Sequence, residues 1–308
     1  MESFFIALST VAVMLLYACP GFLMVKTGLV KGAAIADFAK LLMYVCQPAL
    51  TVYSFMQAEF SLAMVGGMAF VFFFVLVLYA AALLFFRFVI FRKKAQDVRY
   101  RIYTLALCFS NCAFMGVPVL EALLPGYPQA VAFSAMFALA MNVLGWTLAS
   151  AIITNDRKYM SAKKILLNPA VVSLAVAVPL FVSGASLPSQ IDGMVTLLAR
   201  MTTPLCMLIM GMRLATVSLR SVFATPSQYL IVAAKGFAFP LLALGLLLLF
   251  PVEPNLRAAV YIMMACPSAS VVLNFAEMLG EGQETAANLV LLSTGLSALT
   301  IPIMVLLV

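Results

Sequence analysis

The feature that most constrains this chain is a succession of apolar stretches, each about 20 residues long, separated by short polar turns. A hydrocarbon core ~30 Å thick is crossed by about 20 apolar residues in an α-helix. Open sheets and lipid-exposed loops are excluded there, because their backbone groups would go unpaired. Charged residues make up 9% of the 308 positions and hydrophobic ones 65%, whereas soluble domains carry roughly 25% charged residues. The chain is therefore expected to be an all-α integral membrane protein with no soluble domain of any size. Ten transmembrane helices fit, at about 3–25, 37–56, 61–86, 102–124, 129–153, 166–183, 190–212, 227–250, 257–279 and 286–308. Met1-Glu2 offers no basic n-region and the apolar run continues to Val25, so the first stretch is expected to be a retained span rather than a signal peptide.

The net charge of +7 does not point to nucleic acid, because the basic residues cluster in a few loops, which is a topology signal. With the N-terminus outside, four cytoplasmic loops collect Lys26 and Lys31; Arg87, Arg92, Lys93, Lys94, Arg99 and Arg101; Arg157, Lys158, Lys163 and Lys164; and Arg213 and Arg220. The external turns hold only Arg257, and Lys40, Arg200 and Lys235 lie within spans. Both termini are thus expected outside a cytoplasmic (inner) membrane. Ten spans divide into two sets of five, and an odd number per half puts the halves in opposite orientations. The expected organisation is an inverted 5+5 repeat: residues 1–153, a cytoplasmic connecting loop at 154–165, and residues 166–308.

Histidine is absent, which removes Ser-His-Asp and Cys-His catalysis and most zinc and haem sites. The six cysteines fall inside apolar spans and are expected to be packing residues rather than disulfides or metal ligands. There is no GxxxxGK[ST] loop for ATP. No enzyme activity, metal or cofactor is expected.

Two stretches look like interruptions at membrane depth: Ser110-Asn-Cys-Ala-Phe-Met-Gly-Val-Pro118 in the fourth span and Ala265-Cys-Pro-Ser-Ala-Ser270 in the ninth. Proline lacks an amide hydrogen and disfavours helical geometry before it, and Gly116 would allow whatever dihedral a break needs. Pro48 and Pro204 interrupt the second span of each half, and Pro118 and Pro267 the fourth. Paired interrupted spans are the sequence pointer to a transporter binding site.

In the residues around these prolines the chain resembles the auxin efflux carrier (PIN-like) family, whose bacterial members are permeases for small organic anions. Asn111…Phe114-Met-Gly-Val-Pro118, Leu42-Met-Tyr-Val-Cys-Gln-Pro-Ala-Leu50, Asn168-Pro169, Met210-Gly-Met-Arg-Leu214 and Cys266-Pro-Ser-Ala-Ser270 carry the resemblance, which covers nearly the whole chain. Asn-Cys-Ala at 111–113 departs from the pattern, where a smaller or more polar residue is expected after the Asn. The short 154–165 loop matches the compact bacterial type rather than the plant carriers. The resemblance implies that spans four and nine cross at their broken points and that a panel of spans one, two, six and seven faces the other six. It further implies a substrate such as malate, malonate or an auxin-like acid, and it admits a homodimer, for which no stretch marks an interface.

A broken span leaves free amide hydrogens and partial positive charge at the restarted half-helix, which suits a carboxylate. The restarts are expected near Val117-Pro118 and Pro267-Ser268. The candidate substrate-binding residues are Asn111, Gly116, Pro118, Pro267, Ser268 and Asn274, with Ser110 and Ser270 as further polar neighbours and Arg200 and Lys235 as in-span cations. Arg200 lies about nine residues, or ~13 Å, from one end of its span, and Lys235 about eight residues, or ~12 Å, from the other face. Each would pair with an anion or else snorkel to the headgroups. Lys40, near Asp37, is expected to snorkel. Glu121 and Glu277 are the candidates for carrying a coupling proton, with sodium as the other coupling ion, and Trp146, Tyr127 and Tyr261 for anchoring at the interfaces. The expected function is secondary transport of a small carboxylate by alternating access. An anion-selective, channel-like pore is the alternative, and an intramembrane enzyme a more remote one.

Overall fold

The computed structural model describes residues 1–307; Val308, counted in the tenth span, and the side chain of Arg157 lie outside that description. Among the described residues all regular structure is helical apart from one isolated bridge. Besides short helical turns in the loops, such as Ala162–Leu166 and Leu219–Ala224, the helical segments are α1 (Glu2–Lys26), α2 (Gly32–Met56), α3 (Leu62–Ile90), α4 (Val98–Cys108), α5 (Cys112–Leu123), α6 (Ala130–Thr154), α7 (Pro169–Ser183), α8 (Ser189–Thr216), α9 (Pro226–Leu247), α10 (Pro254–Ala265), α11 (Val271–Leu279) and α12 (Gln283–Val305). Seven of them, α1, α2, α3, α6, α8, α9 and α12, are long and apolar enough to cross a membrane. Shorter apolar helices fill the sixth expected span, and the fourth and ninth are each divided in two.

Local chemistry sets several of the ends. Ser61 caps α3 by accepting the Met64 N–H at 3.0 Å, and Asp97 caps α4 by accepting that of Arg99 at 2.9 Å. Asn168 accepts the Ala170 N–H at 3.0 Å, with Pro169 in the first helical position of α7, where its missing amide hydrogen costs nothing. Gly280 and Gly282 turn the chain from α11 into α12 with φ of +78° and +73°.

Pro48, Pro118 and Pro204 do not break their helices, whereas Pro267 stands in the gap between α10 and α11. Pro48, Pro118 and Pro240 each stand at the second residue of an α-helical run that directly follows a five-residue π-turn: Leu42–Cys46, Cys112–Gly116 and Ala234–Ala238. A proline ring clashes with the carbonyl four residues back and offers it no hydrogen. Widening the preceding turn to the i→i−5 pattern relieves that conflict while the helix continues. Pro204 likewise lies inside continuous α8. Gly116 has ordinary helical dihedrals, φ −65° and ψ −42°, so its conformational freedom is not used.

Packing is closest between α1 and α8. A Cβ on Gly21 would collide with the Leu208 carbonyl, and one on Gly211 with the Ala18 carbonyl, so these backbones touch through paired glycines. Helix α2 lies against α7 and α8; α3 packs on α6; α9 packs on α10, and α12 on α10 and α11. The seam between the two groups runs where α1 meets α5 and α12, and where α2 meets α6. Phe73, Val77, Phe85, Leu230 and Leu249 face outward, as lipid-facing side chains do. Tyr261 is not an interface anchor: it is fully buried and donates to the Met304 carbonyl at 3.0 Å. Lys40 is exposed and paired with Asp37 at 2.8 Å.

Candidate functional site

The two interruptions meet. Phe109–Asn111 and Pro267–Ala269 run antiparallel, with Ser110 bridged to Ser268. The Asn111 N–H donates to the Pro267 carbonyl at 2.8 Å and the Ala269 N–H to the Phe109 carbonyl at 2.9 Å. The side chains repeat the pattern: the Ser110 hydroxyl reaches the Met264 carbonyl at 3.4 Å, and the Ser268 hydroxyl the Ala106 carbonyl at 2.9 Å. The offset of 158 residues from Ser110 to Ser268 also relates Phe109 to Pro267, Asn111 to Ala269 and Ala106 to Met264. Each half-helix end therefore satisfies part of its orphan backbone groups on the other, as buried termini must find partners somewhere.

Other elements close around this crossing. The Tyr79 hydroxyl of α3 lies 2.7 Å from Ser110 Oγ, and Ser293 Oγ of α12 accepts the Ser268 N–H at 3.2 Å. Lys235 of α9 is buried; its ammonium donates to Ser110 Oγ and, at 3.1 Å, to the Met264 carbonyl, beneath the Phe239 ring.

A cavity of about 440 Å³ lies further along α5, at Val117, Pro118 and Glu121, and no residue of the crossing lines it. Its walls come from α1 (Ser9, Thr10), α2 (Leu50, Tyr53), α5 (Pro118, Glu121) and α8 (Arg200, Thr203). Glu121 accepts a hydrogen bond from the Tyr53 hydroxyl at 2.9 Å. Arg200 takes part in none of the four ion pairs found among the described residues. Thr203 donates to the Phe114 carbonyl at 2.6 Å, the group that Pro118, four residues on, cannot serve. A second cavity, about 20 Å³, is lined by Gln47, Thr51, Ser54, Ala113, Ser134 and Asn142 and is large enough for a single water. At the basic-loop end of the molecule, Arg213 of α8 pairs with Glu277 of α11 at 2.6 Å.

The expected site residues thus separate into groups. Arg200 and Pro118 line the larger cavity together. Asn111 is buried in the crossing, which uses only its backbone groups. Pro267 and Ser268 are also in the crossing, and Ser268 is fully buried with its hydroxyl committed to Ala106. Gly116 lies next to it, near Cys266 and Met263. Asn274 sits apart, on α11, its amide nitrogen 4.0 Å from Met43 Sδ. Lys235 lines neither of the two cavities. The restarts differ from expectation as well: the second halves begin at Cys112 and Val271, not at the prolines. Pro118 and Pro267 are not equivalent positions, because the 158-residue offset pairs Pro267 with Phe109. Tyr53, Tyr79 and Thr203 were missed; their hydroxyls carried no local signal, because their partners are remote in sequence.

Two interrupted helices that meet inside an apolar bundle, one of them running on to wall a cavity that also holds an arginine and a glutamate, are the arrangement of a membrane transport protein. A family profile described as "Membrane transport protein" matches the chain twice, over residues 6–164 and 153–305. The chain belongs to that family, the auxin efflux carrier or PIN-like group. A comparison with curated proteins finds no match.

Proposed function

We propose that this protein is a secondary carrier of a small carboxylate and that the 440 Å³ cavity is its substrate seat. The observation that carries the proposal is Arg200, a guanidinium without an ion-pair partner in a cavity walled by a broken-span helix. A planar, always-charged guanidinium is the side chain best suited to grip a carboxylate in two places. The volume suits a small ligand of the malate or malonate class. Asn111, buried in the crossing and outside this cavity, is not part of the seat. Glu121 is the better placed of the two coupling-proton candidates, because it lines the cavity while Glu277 is paired to Arg213.

The ten-span inverted repeat of residues 1–153 and 166–308, with both termini outside an inner membrane, is part of the same proposal. The repeated hydrogen bonds of the crossing and the loop charges support it. Alternating access then follows from sliding along the seam between the two helix groups. The test is uptake of radiolabelled dicarboxylates into proteoliposomes. Saturable flux stimulated by substrate on the far side is expected. Arg200→Ala should weaken it about tenfold or more in apparent affinity, the loss of a charged hydrogen bond, while Lys40→Ala leaves it unchanged. Current that does not depend on trans substrate, or equal small effects of both variants, would refute it in favour of a channel-like pore or another seat.

A further inference from the structure

We propose that the helix crossing is a binding position for one monovalent cation, and that in this chain the ammonium of Lys235 fills it. Two half-helices, α4 and α10, end at the crossing with their carbonyl ends inward. Each helix C-terminus carries roughly half an elementary negative charge. Two such ends brought together amount to about one charge, and one ammonium balances it. The bonds exchanged between the two crossing segments come in pairs related by the 158-residue offset; Lys235, from a third helix, has no such mate, since position 77 is Val77. The bridge, the two serine hydroxyls, Tyr79 and Ser293 make the crossing's neutral bonds; among the described residues the charge there comes from Lys235.

The groups that meet the ammonium are ones a cation can use. The ammonium meets Ser110 Oγ and the Met264 carbonyl, with the face of the Phe239 ring 5.1 Å away. Oxygen acceptors and an aromatic face are what a small cation or an alkylammonium requires. The thiols of Cys108, Cys112 and Cys266 and the Tyr79 hydroxyl lie around it, and Lys235 belongs to none of the four ion pairs among the described residues. A buried ammonium without a carboxylate persists only where fixed dipoles stand in for the counter-charge. Lys235 is thus a positioning residue: it ties the carbonyl end of α10 to Ser110, just past the end of α4.

The experiment is cation rescue in the purified protein, and it does not depend on what the carrier transports. Lys235→Ala removes the ammonium and leaves space; Lys235→Met removes the charge but keeps the volume. Melting temperature is followed against methylammonium chloride and sodium chloride, with tetramethylammonium chloride at equal ionic strength as the control. Lys235→Ala should melt several degrees below the wild-type protein and recover saturably with methylammonium or sodium, but not with tetramethylammonium. The wild-type protein and Lys235→Met should show no such recovery. If neither variant yields folded protein, both are solubilised with methylammonium present, and recovery of Lys235→Ala alone by size exclusion is the expected result. Equal responses of Lys235→Ala and the wild-type protein, a Lys235→Met variant as stable as wild type, or no recovery of either variant would overturn the proposal.

Discussion

Thr203 and Pro118 provide a direct measure of how a proline is accommodated at membrane depth. Pro118 has no amide hydrogen for the Phe114 carbonyl, and the Thr203 hydroxyl, from a different helix, takes that place at 2.6 Å. Thr203→Val keeps the shape and removes the donor. A carbonyl left without its bond costs about 1–3 kcal/mol, and this partly buried one belongs toward the lower end, about 1–2 kcal/mol. In a thermal unfolding scan in detergent, that is a fall of about 2–8 °C. Pro118→Ala restores an in-helix donor for the same carbonyl. In that background Thr203→Val should therefore cost close to nothing, and the double-mutant cycle should show a coupling of about 1–2 kcal/mol. If the two changes instead add within about 0.5 kcal/mol, the hydroxyl is not serving the vacancy left by the proline and the reasoning fails. The bond also ties α8 to α5 across the seam, so a sliding movement there must break it.

The Arg213–Glu277 pair links α8 to α11 at the end opposite the cavity, with Glu277 well exposed, so it is worth about 0.2–1 kcal/mol. Arg213→Glu should raise maleimide labelling of buried Cys206 by up to about fivefold. A Cys19→Ala background removes the exposed thiol, and Glu277→Arg added to Arg213→Glu should restore the original rate; labelling indifferent to the swap would exclude a latch. Tyr127, in the turn before α6, donates to Glu253 at 2.6 Å, and burial first, then that bond, pushes its phenol up to about 12. Because the folded-state value is raised above the ordinary value of about 10, its contribution is complete below pH 10 and is lost as pH rises from 10 toward 12. Thermal melts should show that loss in the wild-type protein and a flatter profile in Tyr127→Phe; identical alkaline profiles would contradict the assignment.

Local composition was enough to establish a helical, lipid-embedded chain, because apolar length and the cost of unpaired backbone act on each stretch separately. It was also enough to mark Ser110–Pro118 and Ala265–Ser270 as unusual and to single out Arg200 as an in-span charge. It did not locate the break in the fourth span. Pro118 drew attention because proline is the local helix breaker, yet a π-turn and the Thr203 hydroxyl keep the helix running through it. The chain actually opens at Phe109–Asn111, where nothing in the local sequence forbids a helix, because segments 158 residues apart exchange hydrogen bonds there. The same distinction separates the two in-span cations. Arg200 and Lys235 look alike as charges in apolar runs, and only the packing puts one in a cavity and the other against the Met264 carbonyl. Hydropathy is a sum over neighbours in sequence. Which backbone groups lack a partner, and which remote side chain supplies one, is settled only when the helices meet.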